Sequence, residues 1–162
     1  MAAPLVVDIA DMKFSKAEQD VLITYALGSC IGVSAYDPEL KVGALLHFML
    51  PESALDPRKA QERPYMFADT GVHEMFKHLA GMGSKSKRLI VKACGGSNLM
   101  DPNGTFNIGK RNYLALKKIL WRFNIILKGE DIGGTASRNM SLRLDSGDVS
   151  VRYSGIKEER AL

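Results

Sequence analysis

The chain has 162 residues, 46% hydrophobic and 25% charged, a balance that supports one globular core and is far from that of a disordered chain. Its 22 Lys and Arg against 18 Asp and Glu leave a net charge of +4, scattered along the sequence rather than gathered into a block that would bind nucleic acid. No run approaches the roughly 18 consecutive apolar residues of a membrane span. Met1 to Val7 lacks the charged and apolar regions of an export signal, so the expected location is the cytoplasm and Cys30 and Cys94 are expected to be free thiols.

In chain order, Leu5 to Ile9 and Val21 to Leu27 are rich in β-branched and aliphatic residues and predict two strands, with polar Ser15 to Asp20 between them. The second strand runs into Gly28-Ser29-Cys30 and then into β-favouring Ile31 to Tyr36, which predicts a sharp bend or bulge around Gly28. Asp37-Pro38 marks a turn, and Val42 to Leu50 is a nearly continuous apolar strand that contains His47 and stops at Pro51. Polar Ser53 to Arg63 is expected to be a surface loop. After Pro64, Met66, Phe67, Val72, Met75, Phe76 and Leu79 form a helical stripe ended by Gly81 and Gly83.

Arg88 to Ala93 predicts a short strand, followed by Gly95-Gly96 and a loop rich in Asn, Asp, Pro and Gly. A second helix is expected from Asn107 or Ile108, with Tyr113, Leu116, Ile119, Leu120 and Phe123 facing a sheet. Ile125 to Lys128 suits another strand, and Met140 to Leu144 with Val149 to Tyr153 reads as a hairpin around Asp145 to Asp148. The charged tail from Lys157 is expected to fray. Many strands with two substantial helices predict an α+β fold in a single domain spanning residues 1–162.

A cysteine nucleophile needs a base to take its proton and donors for the oxyanion formed on attack at a carbonyl. Cys30 stands at the predicted strand break, where the amides around Gly28 and Ser29 are free to face a substrate. His47 lies among Ala44, Leu45, Leu46, Phe48 and Met49, where an imidazole is costly without a partner, and a hairpin through Asp37-Pro38 would bring it beside Cys30. Thr24, on the incoming strand, could orient the imidazole, less strongly than a carboxylate would. On the residues alone, Cys30 reads more readily as an inert buried thiol than as a nucleophile, and His47 as readily as a satisfied core histidine as a base.

Two further motifs nearly fit. Gly104 to Lys110 matches the first seven positions of a phosphate-binding loop, but Arg111 stands where a Ser or Thr should hold magnesium. His73 and His78 are spaced one residue too far apart for a zinc-protease helix, which turns them roughly 140° apart. The sequence therefore calls for neither metal nor cofactor.

The run Thr24-Tyr25-Ala26-Leu27-Gly28-Ser29-Cys30-Ile31-Gly32-Val33 resembles the signature of the CheD chemotaxis family, and Gly43-Ala44-Leu45-Leu46-His47-Phe48-Met49-Leu50-Pro51 is similar to its second motif. Lys92 to Gly96, Asn107 to Asn112, and Asp131 to Gly134 with Arg138 are similar to its remaining blocks, in the same order. The resemblance implies a receptor glutamine deamidase whose Cys-His-Thr triad falls on Cys30, His47 and Thr24. It also implies a layered α/β/β sandwich similar to the catalytic domain of cytotoxic necrotizing factor toxins.

The implied substrates are the cytoplasmic domains of methyl-accepting chemotaxis receptors. Receptor methylesterase activity and binding to the phosphatase CheC belong to the same resemblance. Gly28 and Ser29 would support the oxyanion, and Gly95, Gly96, Asn107, Gly109, Arg111 and Asn112 would shape loops or cap a helix beside the site, with Cys94 a structural residue. The alternative is a non-catalytic partner that regulates receptors or stimulates CheC.

Overall fold

The computed structural model describes residues 3–99, 101 and 103–162. Met100 and Pro102, part of the loop expected after Gly96, lie outside the described residues, as do Met1 and Ala2. Among the described residues, ten strands form two five-stranded sheets. The first contains β1 (Leu5–Val6), β3 (Val21–Leu27), β8 (Arg138–Arg143), β9 (Val149–Tyr153) and β10 (Arg160–Ala161), in that order. The second has the order β2 (Asp11–Ser15), β5 (Val42–Phe48), β4 (Ile31–Asp37), β6 (Ile90–Gly95) and β7 (Gly129–Ile132).

Among the described residues, three α-helices, α1 (Pro57–Glu62), α2 (Ala68–Gly81) and α3 (Ile108–Arg122), complete the fold, which is α+β as expected. Among the described residues no helix is long and apolar enough to cross a membrane.

The strand alternation explains the layering. In β4 and β5 every residue is buried, because both faces are covered. Ile31, Val33, Ala35, Ala44, Leu46 and Phe48 face one way, into a core shared with α2 and α3. Tyr36 and Leu45 face the other way and pack with Leu22, Leu27, Met140 and Leu142 of the first sheet. Helices, second sheet and first sheet thus stack in three layers. A turn closed by Asp37, whose carboxylate accepts from Glu39 and Leu40 N–H groups at 2.9 and 3.2 Å, carries β4 into β5.

Several expectations are corrected. The first strand ends at Val6, because Ala10 adopts φ 59° and reverses the chain; Asp11–Ser15 then pairs with β5. Residues 53–63 form not a plain loop but a 3-10 turn and α1, started by Pro57 and capped by Asp56, whose carboxylate accepts from Lys59 N at 3.1 Å. The short strand near Arg88 starts later, at Ile90, after a 3-10 turn over Ser86–Arg88. Ile125 to Lys128 is not a strand; the strand is Gly129–Ile132, set by parallel pairing of Lys92 with Gly129. Arg160 and Ala161 in the tail pair with Val151 and Ser150.

The chain bends over Gly28 to Cys30 as expected, and a bulge lies just before that bend. Thr24 pairs with Met140 and Leu27 with Arg138, so β3 carries one extra residue at Tyr25-Ala26, with Ala26 at φ 57°. Strict alternation from buried Leu22 and Thr24 would turn Leu27 outward. The bulge returns it to the core and aims the chain at Cys30.

Candidate active site

The loop Gly28-Ser29-Cys30 joins β3 to β4 and is held by its carbonyls. Gly28 O accepts from Ser97 N, Ser29 O from Asn112 Nδ2 and Cys30 O from Gly96 N, each at 2.9 Å. In a planar trans peptide the C=O of one residue and the N–H of the next point in opposite directions. The Ser29 and Cys30 N–H groups are therefore directed away from those anchors, and the Cys30 amide faces its own sulfur. Such amides are the donors an oxyanion needs.

β5 brings the imidazole to the same face. His47 pairs directly with Gly32, and Cys30 lies two residues before Gly32. Diagonal neighbours of this kind have Cα atoms about 7–8 Å apart and Cβ atoms somewhat closer, within reach of an imidazole. Both side chains point between the sheets: Cys30 packs on the inter-sheet core and His47 bonds Thr24 of β3. Gly32 keeps that space open, since a Cβ there would meet Met140 Sδ at 2.9 Å and Leu27 Cδ1 at 3.0 Å.

The hydrogen bonds at Thr24 settle which imidazole nitrogen is basic. Thr24 Oγ1 lies 2.7 Å from the Val7 carbonyl, which can only accept, and 2.7 Å from His47 Nδ1. The single hydroxyl proton goes to Val7 O, so Nδ1 carries its own proton and donates to Thr24 Oγ1. Nε2 is left with its lone pair, and it is a buried nitrogen with no hydrogen-bond partner among the described residues. An unpartnered basic nitrogen is costly in a core and is what a proton acceptor requires.

Burial sets the resting charge state. It pushes the Cys30 thiol up to about 11, its own backbone amide pulling weakly the other way. It also holds His47 down at about 4, against the pull of the Asp11 and Asp8 carboxylates. At neutral pH the pair is thiol and neutral imidazole, not thiolate and imidazolium. A reaction at this sulfur would need its proton removed, and Nε2 is a base free to take one.

Thr24→Val preserves shape but removes the acceptor for Nδ1–H and frees the imidazole to change tautomer. It should lower turnover about a hundredfold, while Thr24→Ser stays within about threefold of wild type. Steady-state kinetics on the two variants distinguishes this from a packing effect, which the smaller serine would disturb more.

A cleft of about 570 Å³ opens beside the loop, lined in part by Ser29, Gly96, Ser97, Asn107 and Ile132. Gly96 lines it, and Gly95 precedes Gly96 against the Cys30 backbone. At Gly95 (φ +115°) an added Cβ would fall 2.3 Å from Cys30 O, and at Gly109 one would fall 2.4 Å from Gly96 O, so α3 meets the loop backbone to backbone. Arg138, nearly fully buried, donates from Nη1 to Gly95 O at 3.1 Å and from Nη2 to Gly133 O, which ties two walls of the cleft together.

Asn107 lines the cleft but makes no side-chain cap, contrary to a capping role. Arg111 is exposed and lines a separate depression with Pro51, Glu52 and Leu55. Cys94 is fully buried and pushed up to about 12, chiefly by that burial, as suits a structural thiol.

Three contributors escaped the sequence reading. The Val7 carbonyl and Ser97 N–H are backbone groups without a side-chain signal. Asp101 was readable only as loop composition, yet its carboxylate accepts from the N–H groups of Thr105, Phe106 and Asn107 at 2.8 to 2.9 Å. Those amides belong to the near-match of a phosphate loop, so the protein's own carboxylate fills the place of an anion.

A thiol, a base of fixed tautomer and outward amides beside a cleft are the parts of a cysteine nucleophile site. The model of the family described as CheD chemotactic sensory transduction matches residues 49–153, and the chain belongs to that family. The chain is similar to the probable chemoreceptor glutamine deamidase CheD of Solibacter usitatus, 49% identical over 155 residues, covering 96% of this chain and 92% of the relative. At that coverage the aligned span takes in Thr24, Cys30 and His47, which precede the family-model match.

The probable chemoreceptor glutamine deamidase CheD 1 of Syntrophus aciditrophicus is 44% identical, with 93% of this chain and 94% of the relative covered. The chemoreceptor glutamine deamidase CheD of Thermotoga maritima is 40% identical over 139 residues, 86% of this chain and 85% of the relative.

Proposed function

We propose that the chain is a single-domain protein-glutamine deamidase, acting in the cytoplasm on glutamine side chains of methyl-accepting chemotaxis receptors. Cys30 is the nucleophile, His47 the base and Thr24 its orienter. The observation that carries this reading is the buried, unpartnered Nε2 of His47, held in its basic tautomer on the face that Cys30 shares. Family membership and the printed names of the relatives supply the substrate class.

The reaction starts from the neutral pair. Nε2 takes the Cys30 proton as Sγ bonds to the side-chain amide carbon of glutamine, and the Ser29 and Cys30 N–H groups hold the resulting oxyanion. His47 returns that proton to the departing nitrogen, the C–N bond breaks, and ammonia leaves a thioester on Cys30. His47 then deprotonates a water that attacks the thioester carbon; the C–S bond breaks, the thiol regains a proton and glutamate is released. No metal or cofactor takes part. The layered fold is read as similar to the catalytic domain of cytotoxic necrotizing factor toxins.

Receptor methyl esters, which are acyl groups of the same type, fall within this chemistry, and CheC is proposed to bind the surface that receives receptor. The product differs from the substrate by one negative charge on a receptor helix, which changes repulsion between neighbouring helices.

Incubating the protein with receptor cytoplasmic domains should add about one dalton per converted glutamine and release one ammonia for each. Mass spectrometry with ammonia determination reads both. Ammonia from free glutamine with no mass change in receptor would replace this reading with a small-amide hydrolase.

A further inference from the structure

Asn112 is a polar residue in the buried stripe of α3, fully inaccessible to solvent between Gly109, Ala115 and Leu116. Its carboxamide does not serve the helix. Nδ2 donates to Ser29 O at 2.9 Å and to Met49 O at 2.9 Å, so one NH₂ group binds the residue before the nucleophile and the residue two beyond the base. Both of its hydrogens are used, and Oδ1 has no partner among the described residues, an expense that packing alone does not explain. A leucine here would fill the stripe without that cost.

The peptide between Ser29 and Cys30 is the one Asn112 grips. Because it is planar, pulling Ser29 C=O toward α3 turns the Cys30 N–H the opposite way, onto the side where its own sulfur lies. An amide fixed beside the attacking sulfur is within reach of the oxygen of the carbon that sulfur attacks. The second bond, to Met49 O, ties the same grip to the strand that carries His47.

We propose that Asn112 is a positioning residue for acyl transfer: it clamps the Ser29-Cys30 peptide to the end of the His47 strand and so aims the Cys30 amide at the oxyanion. It touches neither substrate nor the reacting atoms. The inference rests on the deamidase reading and deepens it, since it assigns oxyanion geometry to a helix side chain.

The test uses two reactions of one sulfur. Deamidation passes through an oxyanion, whereas alkylation of Cys30 by iodoacetamide displaces iodide at a saturated carbon and forms none. Asn112→Ala and Asn112→Asp, which lacks the NH₂ donors at nearly the same volume, should lower kcat for receptor deamidation about 10- to 100-fold. KM and the rate of Cys30 alkylation, followed by peptide mapping, should stay within about threefold of wild type. Parallel loss of deamidation and alkylation, no loss of either, or failure of both variants to fold would overturn the proposal and leave Asn112 a structural residue. Wild type no faster than Cys30→Ala would overturn the deamidase reading and this proposal with it.

Discussion

Alanine in place of Cys30 should abolish receptor deamidation while leaving the fold and receptor binding intact. The side chain is small and half-buried at the edge of the inter-sheet core, and the loop around it is held by backbone carbonyls that alanine retains. Stability should change by less than about 1 kcal/mol, the range of substitutions that open no sizeable cavity and strand no polar group. Activity should fall below detection, because Cys94, the other thiol, is sealed in the core and cannot substitute. Ammonia release by the purified variant measures the first effect and its thermal unfolding the second. A variant that binds receptor and still alters chemotaxis would favour the non-catalytic alternative.

Glutamine in place of His47 should have the next largest effect, and one with a distinctive pH dependence. With the thiol held at about 11, only about one sulfur in ten thousand is ionised at pH 7 unless a base removes the proton. Loss of the imidazole should therefore lower kcat by roughly four orders of magnitude at neutral pH.

The sign follows from the same acidity. In His47→Gln the rate should rise about tenfold per pH unit from 7 toward 11, as the thiolate forms unaided. In wild type it should stay level across neutral pH, because His47, held at about 4, is already unprotonated there. Its activity should fall only as the pH drops toward 4. A pre-formed thiolate, visible by its ultraviolet absorbance in resting wild type at pH 7, would contradict this assignment.

The parts of the site carried by local composition were legible before the structure. Val21–Leu27 and the apolar strand through His47 were readable from their β-branched and aliphatic runs, and Asp37-Pro38 announced the hairpin that sets His47 opposite Gly32. The proposed triad rests on the motif resemblance rather than on spacing. Thr24 is an ordinary strand residue until Val7 and His47 meet it in space.

What the sequence hid depends on long-range pairing. Asp11–Ser15 mixes charged and apolar residues and becomes a strand because β5 offers an edge. Ile125 to Lys128 has the better strand composition, yet Gly129–Ile132 is the segment that pairs with β6. The bend at Gly28 was announced by the glycine, but the bulge just before it at Tyr25-Ala26 was not, because it returns Leu27 to the core, a constraint of packing and not of local propensity. α1 was readable in principle from Asp56-Pro57, but a strongly polar stretch masked it.

The oxyanion donors were the least legible element. Their direction is fixed by two carbonyl acceptors, Gly28 O and Ser29 O, whose donors lie far along the chain at Ser97 and Asn112.

In the proposed reaction a receptor glutamine passes through a covalent bond to one sulfur. Acid quenching during turnover, followed by peptide mapping, should recover a receptor peptide joined to Cys30 as a thioester, lighter by one ammonia than the two parts combined and cleaved by hydroxylamine. Glutamate appearing in receptor at full rate with no such adduct, and equally with Cys30→Ala, would show that the sulfur is not the nucleophile.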